Sequence, residues 1–182
     1  TANQFNDIKI NDGTLNIDPG SKVFIMDDLQ ITGTAGVKGK LTMTGGELWI
    51  KYYGDGSTGS LGFDTFANSI LNISSGDIYL CGRDQSASNS AILDWNASST
   101  VNITGGTFHL ALEQSAGTTN KSGRCDFAGK TIYNFEINRS GLIDSLFSNI
   151  IINGNITISA GTLNAHGYNI TTAGNWTNNG SF

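Results

Sequence analysis

Three ring-bearing residues recur at one interval along this chain. Trp49, Tyr79 and His109 follow one another at equal spacing. If each projects from an equivalent strand, the rings form a ladder on a sheet surface, where flat rings can stack on the apolar faces of sugars. The pattern therefore predicts a carbohydrate-binding surface. Cross-strand rings can equally serve only to stabilise the sheet that carries them, and the residues alone leave both interpretations open.

A row of carboxylates recurs in a similar way. Asp64, Asp94 and Asp126 follow one another at nearly equal intervals. Such a row could bind calcium or supply the acid groups of a polysaccharide-cleaving enzyme. A catalytic cluster normally also contains a basic partner, and only Asp126 has candidates nearby, in Arg124 and Lys130. We therefore expect no catalytic residue, and neither a metal nor a cofactor.

The chain has two cysteines, Cys81 and Cys125. Paired cysteines in secreted proteins commonly form a disulfide. Their separation in sequence, however, places them at different points of a 30-residue repeat. One disulfide and two separate thiols are both retained as predictions.

Asn-x-Ser/Thr sequences, the acceptor sites of N-glycosylation, are frequent in this chain. Many of them also arise automatically where small polar residues alternate with a buried isoleucine, and we favour that explanation. It does not account for Asn120, Asn138 and Asn179, which we expect in loops. The nine candidate glycosylation sites are Asn72, Asn96, Asn102, Asn120, Asn138, Asn155, Asn169, Asn175 and Asn179.

The elements that position these residues are set by a recurring ten-residue phrase. LTMTGGELWI at 41–50 returns as LNISSGDIYL at 71–80, VNITGGTFHL at 101–110 and ITISAGTLNA at 156–165, all read in one phase. Apolar and polar residues alternate on both sides of a glycine, which predicts two short strands that meet at a corner. The predicted corners, where a side chain would be penalised, are Gly46, Gly76, Gly106 and Gly161.

A third apolar segment precedes the next copy of the phrase, at 61–66, 91–95 and 124–127. Three strands per repeat form one triangular coil, and a fixed period of this length is typical of stacked repeats. We therefore predict an all-β right-handed parallel β-helix, a β-solenoid with about 30 residues per coil in its central part. Leu48, Ile78 and Phe108 should form one inward column. The alternative, an antiparallel β-sandwich, would require closely spaced hairpin turns.

The composition fits a single solenoid domain over residues 1–182. We expect N-terminal capping coils at 1–38, regular coils at 39–130 and shorter coils at 131–182, with loops at 54–60, 83–90 and 114–122 on one edge. The net charge of −5, with only 10 Lys and Arg, removes the electrostatic basis for binding nucleic acid. No apolar run is long enough for membrane insertion.

Three stretches carry a resemblance to known proteins. VNITGGTF at 101–108, NITISAGTLNA at 155–165 and GNWTNNGSF at 174–182 are similar to repeats of filamentous-haemagglutinin-like and autotransporter-type adhesins, which are bacterial surface or secreted β-solenoids. The resemblance covers residues 39–182. It implies an extracellular, rod-like structural or adhesive element, either a fibre subunit or part of a larger adhesin, and it transfers no catalytic residue.

We therefore expect a secreted or cell-surface structural protein that is not an enzyme. The start at Thr1 suits a mature secreted product, and residues 1–10 or the strand near Trp176 could join a neighbour by strand addition. The expected partners are further copies of the chain, glycans, or a host or neighbouring cell surface. The alternative is a carbohydrate-binding or polysaccharide-cleaving β-helix, a lyase or hydrolase. A phage-tail or spike component would share the fold.

Overall fold

The computed structural model describes residues 3–5, 7–51, 62–82, 91–112 and 120–182. Within these ranges the chain is all strand and turn, as its alternating apolar pattern predicts. The described part of the chain has no helix of the length and hydrophobicity needed to cross a bilayer. The strands are β1 (Asn3–Phe5), β2 (Ile8–Ile10), β3 (Gly13–Ile17), β4 (Lys22–Ile25), β5 (Leu29–Ile31), β6 (Gly33–Thr34), β7 (Val37–Ile50), β8 (Phe63–Thr65), β9 (Ile70–Leu80), β10 (Ala91–Asp94), β11 (Thr100–Ile103), β12 (Thr107–Ala111), β13 (Arg124–Asp126), β14 (Thr131–Ile132), β15 (Asn134–Leu146), β16 (Ile150–Ile152), β17 (Ile156–Asn164), β18 (Ile170–Thr172) and β19 (Trp176–Asn178).

Most strands pair in parallel with the strand one winding further along the chain, and they form three columns that we call the first, second and third face. In the first face, β11 and β14 are in contact but belong to separate sheets. The first face consists of β3, the N-terminal halves of β7 and β9, β11, β14, β16 and β18. The second face consists of β1, β4, the C-terminal halves of β7 and β9, β12, and the N-terminal parts of β15 and β17, followed by β19. The third face consists of β2, β5, β8, β10, β13 and the C-terminal parts of β15 and β17. This arrangement fits the predicted parallel β-helix.

The predicted inward column is confirmed. Leu48 pairs with Ile78 and Ile78 with Phe108, and all three side chains are buried. The column continues through Phe135 to Ile156, which are also buried. Like residues of neighbouring windings therefore bury one another, and each buried aliphatic or aromatic side chain contributes about 1.5–3 kcal/mol.

The antiparallel sandwich is excluded by the direction of the pairs. Among the described strands, β6 and β7 are the one antiparallel pair, a hairpin in which Thr34 is opposite Val37 and Gly36 takes a φ of 97°. The predicted third segment of each repeat is confirmed as β8, β10 and β13, in which Phe63 pairs with Leu93 and Leu93 with Cys125.

The fourth copy of the phrase lies on a different face from the other three, so its predicted phase was wrong. Ile156 pairs with Phe135 on the second face, in the column of Leu48, rather than in the first-face column of Leu41. Gly161 therefore turns the corner between the second and third faces. The same sequence pattern recurs because Gly161, like Gly46, Gly76 and Gly106, takes a positive φ that favours glycine.

The predicted corner geometry is confirmed at all four glycines, whose φ values lie between 73° and 102°. Gly106 illustrates the constraint. Its φ is 84°, and an added Cβ would lie 2.6 Å from the carbonyl oxygen of Gly76 in the winding below. A side chain there is opposed both by the backbone conformation and by the close approach of the next coil.

The widest windings are filled by aromatic side chains. Trp95 contacts Phe63, Phe108 and Phe127 edge to face, with ring centroids 5.4–5.9 Å apart, and Phe127 contacts Phe135 in the same way at 5.6 Å. All five rings are buried. Large side chains fill the interior that aliphatic residues fill in the narrower windings.

Candidate functional site

The predicted ring ladder forms on the outward side of the second face. The centroids of Trp49 and Tyr79 are 3.8 Å apart with planes at 10°, and those of Tyr79 and His109 are 4.5 Å apart at 11°. Phe24 of β4 extends the ladder by one step, 6.0 Å from Trp49. The 30-residue period does not predict the place of Phe24, although its segment KVFI alternates as the later strands do.

The stacking determines what a ligand can reach. Neighbouring rings cover each other's faces, so a ligand approaching from solvent meets mainly ring edges. Sugar recognition by stacking requires an open ring face. The geometry therefore favours the stabilising interpretation of Trp49, Tyr79 and His109, and leaves the carbohydrate-binding interpretation as a prediction.

The imidazole at the upper end of the ladder lies between two carboxylates. His109 Nδ1 is 2.7 Å from Glu136 Oε2, and Nε2 is 3.2 Å from Asp77 Oδ1. Ser159 Oγ donates to the second oxygen of Glu136 at 2.7 Å. Glu136 is the strand partner of His109 in the next winding, which is shorter than the two before it. Its place in the column was missed because it breaks the 30-residue period.

The other end of the ladder is tied to an exposed ion pair. Trp49 Nε1 donates to Glu47 Oε2 at 3.0 Å, and Lys22 Nζ is 2.7 Å from Glu47 Oε1. The bonds from Lys22 and Trp49 lower the pKa of Glu47. Burial, followed by the charges of Asp77 and Glu47, raises the pKa of Tyr79. A column formed by Lys22, Glu47 and Asp77 therefore runs directly beside the column of rings.

A shallow cleft of about 280 Å³ opens beside His109. Its polar lining includes Thr107, His109, Asn134, Glu136, Asn155 and Thr157. These groups offer both donors and acceptors around a partly buried ring, which is a lining suited to a polar ligand of about one sugar ring.

The carboxylate row also forms, on the third face. Asp64 pairs with Asp94 and Asp94 with Asp126, so the three stand on consecutive strands. Arg124 Nη2 bonds Asp94 Oδ2 at 3.0 Å, and Asp126 Oδ1 accepts from the N–H of Ala128 at 2.9 Å. Burial raises the pKa of Asp94, although the Arg124 charge opposes that shift.

Asp64 differs from the other two carboxylates. It is 1% exposed, and neither of its oxygens has a hydrogen-bond partner within the described part of the chain. Burial, with the charges of Asp94 and Asp28, raises its pKa to about 8. The group therefore carries a proton at neutral pH unless a positive charge compensates it.

The basic residues beside Asp126 are engaged elsewhere. Lys130 Nζ donates to the carbonyl oxygens of Ala97 and Ser99 at 2.7 and 3.0 Å. Arg124 binds Asp94 and lies over the ring of Phe147. Their positions favour a structural role for these two cations over a role in acid–base chemistry at Asp126.

Both cysteines are buried, and the described structure contains no disulfide between Cys81 and Cys125. Burial raises the pKa of the Cys125 thiol. Near Cys125 the structure buries a charged group that the repeat pattern does not predict, Arg139, which is 0% exposed. Arg139 pairs with Asp144, and its Nη2 donates to the carbonyl oxygens of Gly82 and Lys121 at 3.1 and 2.5 Å. The arginine thus fastens three windings to one another at one corner.

The candidate glycosylation sites are distributed over strands and corners. Asn72 and Asn102 stand in register, and Asn102 Nδ2 donates to Asn72 Oδ1 at 3.0 Å, as outward alternation predicts. Asn155 Oδ1 accepts from the N–H of Asn175 at 2.9 Å, one step of an amide ladder at a corner. Asn138 was expected in a loop, but it lies in β15 and pairs with Ala111 because that winding is shorter.

The remaining predicted asparagines lie between strands or at bridges. Asn96 and Asn169 lie between strands beside turns, Asn179 follows β19, and Asn120 forms an isolated bridge. Of the predicted loops, 54–60, 83–90 and most of 114–122 lie outside the described residues. They cannot therefore contribute to a site built from observed contacts.

No family model, no curated protein and no solved structure matches this chain.

Proposed function

We propose that this chain is an extracellular structural or adhesive β-solenoid, a subunit of a surface fibre or a segment of a larger adhesin. Its coils would be right-handed and would keep the 30-residue period in the central part. The proposal rests on the in-register column from Leu48 to Ile156, which makes each winding a template for the next. The resemblance to filamentous-haemagglutinin-like and autotransporter-type repeats points the same way.

The side walls suit an element that works through repeated surfaces. Eight strands stack on the second face, and at about 4.8 Å per strand this gives a wall about 34 Å long. On the first face, Asn16, Thr42, Asn72 and Asn102 form one outward column of small neutral side chains. A flat, weakly charged wall of this kind can lie against another copy or a cell surface over many small contacts.

Imaging the intact protein tests this proposal. Negative-stain electron microscopy and light scattering coupled to size-exclusion chromatography, at increasing concentration, should give rods or end-to-end fibres. Monodisperse compact monomers at high concentration, together with no binding to cell surfaces, would contradict it.

A second candidate function is carbohydrate binding, favoured by the cleft beside His109. Thr107, Asn134 and Asn155 would bond sugar hydroxyls there, with the partly buried imidazole as one wall. A glycan array would detect binding, and a reducing-sugar assay on acidic polysaccharides would detect cleavage. Binding that is lost in Asn134→Ala but kept in Asn16→Ala, a matched change on the first face, would support carbohydrate binding. If neither assay gives a signal, only the structural role is supported.

A further inference from the structure

The ring ladder on the second face ends at His109. One face of the imidazole lies on Tyr79, with 4.5 Å between the ring centroids, and no ring of the described residues lies on its other face. The next strands place Glu136, Thr157 and Thr177 at this position of the column. Because none of these side chains carries a ring, the ladder stops here, and the cleft of about 280 Å³ opens at this step.

The two carboxylates beside His109 contact the edge of the imidazole. Glu136 Oε2 is 2.7 Å from Nδ1, and Asp77 Oδ1 is 3.2 Å from Nε2. Hydrogen bonds of a ring nitrogen run close to the ring plane. Both contacts therefore orient the ring through its edge rather than through its face, and His109 is a wall of the cleft.

The side of the cleft is formed by a second column, in which Thr107 is followed by Asn134 and Asn155. Asn134 Nδ2 donates to the carbonyl oxygen of Gly106 at 3.3 Å, and its Oδ1 accepts from the N–H of Asn155 at 2.9 Å. The amide is therefore held in place by the chain, and it keeps one N–H and one lone pair for a ligand. Polar groups that are oriented in advance lower the entropic cost of binding.

The charge of the cleft discriminates among sugars. Its described lining contains Glu136 and neither lysine nor arginine, and Asp77 adds a second carboxylate at the far edge of the imidazole. An acidic sugar would bring a further negative charge close to Glu136, which is unfavourable. A neutral sugar avoids this repulsion, and its hydroxyls can bond the amides and hydroxyls of the lining.

We propose that this cleft binds one neutral pyranose ring, a hexose or an N-acetylhexosamine, which lies on the free face of His109 as the next step of the ladder. The inference rests on the proposed carbohydrate-binding function and specifies its sugar class and its stacking surface. The apolar face of the sugar contacts the imidazole. Its hydroxyls bond Asn134 and Thr107, and the rings below His109 hold the imidazole flat.

Titration calorimetry and NMR on the intact chain test the site with three tetrasaccharides. Cellotetraose and chitotetraose are the neutral probes, and tetragalacturonate is the acidic probe. We expect a neutral probe to bind about tenfold more tightly than the acidic probe and to shift the ring resonances of His109. Affinity for the neutral probe should fall about tenfold in His109→Ala, and His109→Phe, which keeps a flat ring, should recover most of that loss.

Glu136→Gln tests the charge separately. The amide keeps acceptor capacity for Ser159 but carries no charge, so the preference for neutral over acidic probes should fall severalfold. Tyr168→Ala is the matched control, since it removes a ring that is 37% exposed and lies outside the ladder, and it should leave binding unchanged. Circular dichroism shows which variants fold. If His109→Ala does not, the results for His109→Phe and Glu136→Gln decide.

The failure of this site is distinguishable from the failure of carbohydrate binding. Unchanged affinity in folded His109→Ala, unchanged preference in Glu136→Gln, or tighter binding of tetragalacturonate than of both neutral probes would overturn the site and leave carbohydrate binding elsewhere on the protein standing. Weaker binding in His109→Phe than in His109→Ala would likewise overturn it. No binding of any glycan on the array would overturn carbohydrate binding itself, and this inference with it.

Discussion

At the scale of single residues, Asp64 and Arg139 are both buried ionisable groups, but their surroundings differ. Arg139 has Asp144 and two carbonyl oxygens as partners, and the N–H of Gly123 donates to Asp144 at 3.0 Å. Asp64 has no hydrogen-bond partner among the described residues. The arginine therefore holds the fold together at one corner, whereas the aspartate makes the stability of the fold depend on pH.

Replacing Arg139 should destabilise the protein strongly. Arg139→Met leaves Asp144 buried without its counter-charge, and removing one member of a buried ion pair costs about 3–5 kcal/mol. Urea unfolding followed by circular dichroism measures this loss. Arg124→Met is the control, because the Arg124–Asp94 pair is partly exposed and should cost less than about 1 kcal/mol. Equal losses in the two variants would contradict the clamping role of Arg139.

The raised pKa of Asp64 predicts a pH dependence with a defined sign. The folded state holds the proton up to about pH 8, whereas the unfolded state releases it near the ordinary value of 3.8. The free energy of unfolding should therefore fall as pH rises between these values, by at most about 1.4 kcal/mol per pH unit from this group. Arg124 opposes the shift, while Asp94 and Asp28 reinforce it.

Urea unfolding at several pH values from 5 to 8 measures this dependence. Asp64→Asn should flatten the decline because the amide does not titrate. A variant that retains the wild-type slope would show that the proton is bound elsewhere.

The sequence could predict residues that follow the 30-residue period, and it missed those that do not. Trp49, Tyr79 and His109 fall in one column because the windings between them have equal length. Arg139 and Glu136 belong to a shorter winding, so their depth and partners depend on register that the period does not encode.

At the scale of elements, the ladder and the corners explain how short strands form long columns. Each ring stacks on a ring of the next strand. Each corner glycine lets the backbone of the winding below approach closely, because it has no side chain. The alternation of apolar and polar residues, the corner glycines and the strands could all be predicted from the sequence. The face on which the fourth copy lies could not, because ITISAGTLNA fits the corner between the first and second faces as well as the corner between the second and third.

Removing the central ring of the ladder should cost stability. Tyr79 stacks on both Trp49 and His109, and each aromatic pair adds about 0.5–1.5 kcal/mol beyond burial. Tyr79→Ala should therefore lower the free energy of unfolding by about 1–3 kcal/mol. Tyr133→Ala, at a tyrosine 37% exposed, should change it by less than about 0.5 kcal/mol. If both tyrosines tolerate alanine equally, the ladder is not a stabilising element.

Gly106 and Gly141 can be compared because they differ mainly in how closely the neighbouring winding approaches them. Gly106 and Gly141 both have positive φ, 84° and 77°, but a Cβ on Gly141 would meet no atom within 4 Å in the described structure. Gly141→Ala should carry only the conformational penalty, about 1 kcal/mol. Gly106→Ala should cost about 1–3 kcal/mol more, since a carbonyl oxygen must move. Equal midpoints in urea would contradict the tight contact between windings.

At the scale of the whole molecule, one uninterrupted column connects windings of different length. The buried core continues from Ile17 and Ile25, through the aromatic side chains around Trp95, to Ile156 and Ile158. The second and third faces belong to one hydrogen-bonded sheet, whereas the first face is divided between β11 and β14. Such a stack derives its stability from each winding covering the next. A protein built in this way suits a role in which the surface, rather than a single pocket, makes the contacts.

The central claim is that residues one period apart in the sequence touch within one column. Nuclear Overhauser contacts in a methyl- and phenyl-labelled sample test it directly, without any substitution. We predict strong contacts from the methyls of Leu48 to those of Ile78 and from the methyls of Ile78 to the ring of Phe108. The contact between Leu48 and Phe108, which lie two strands apart at about 9.6 Å, should be weak or absent. Missing Leu48–Ile78 contacts in the folded protein would contradict the stacked architecture and the proposed function built on it.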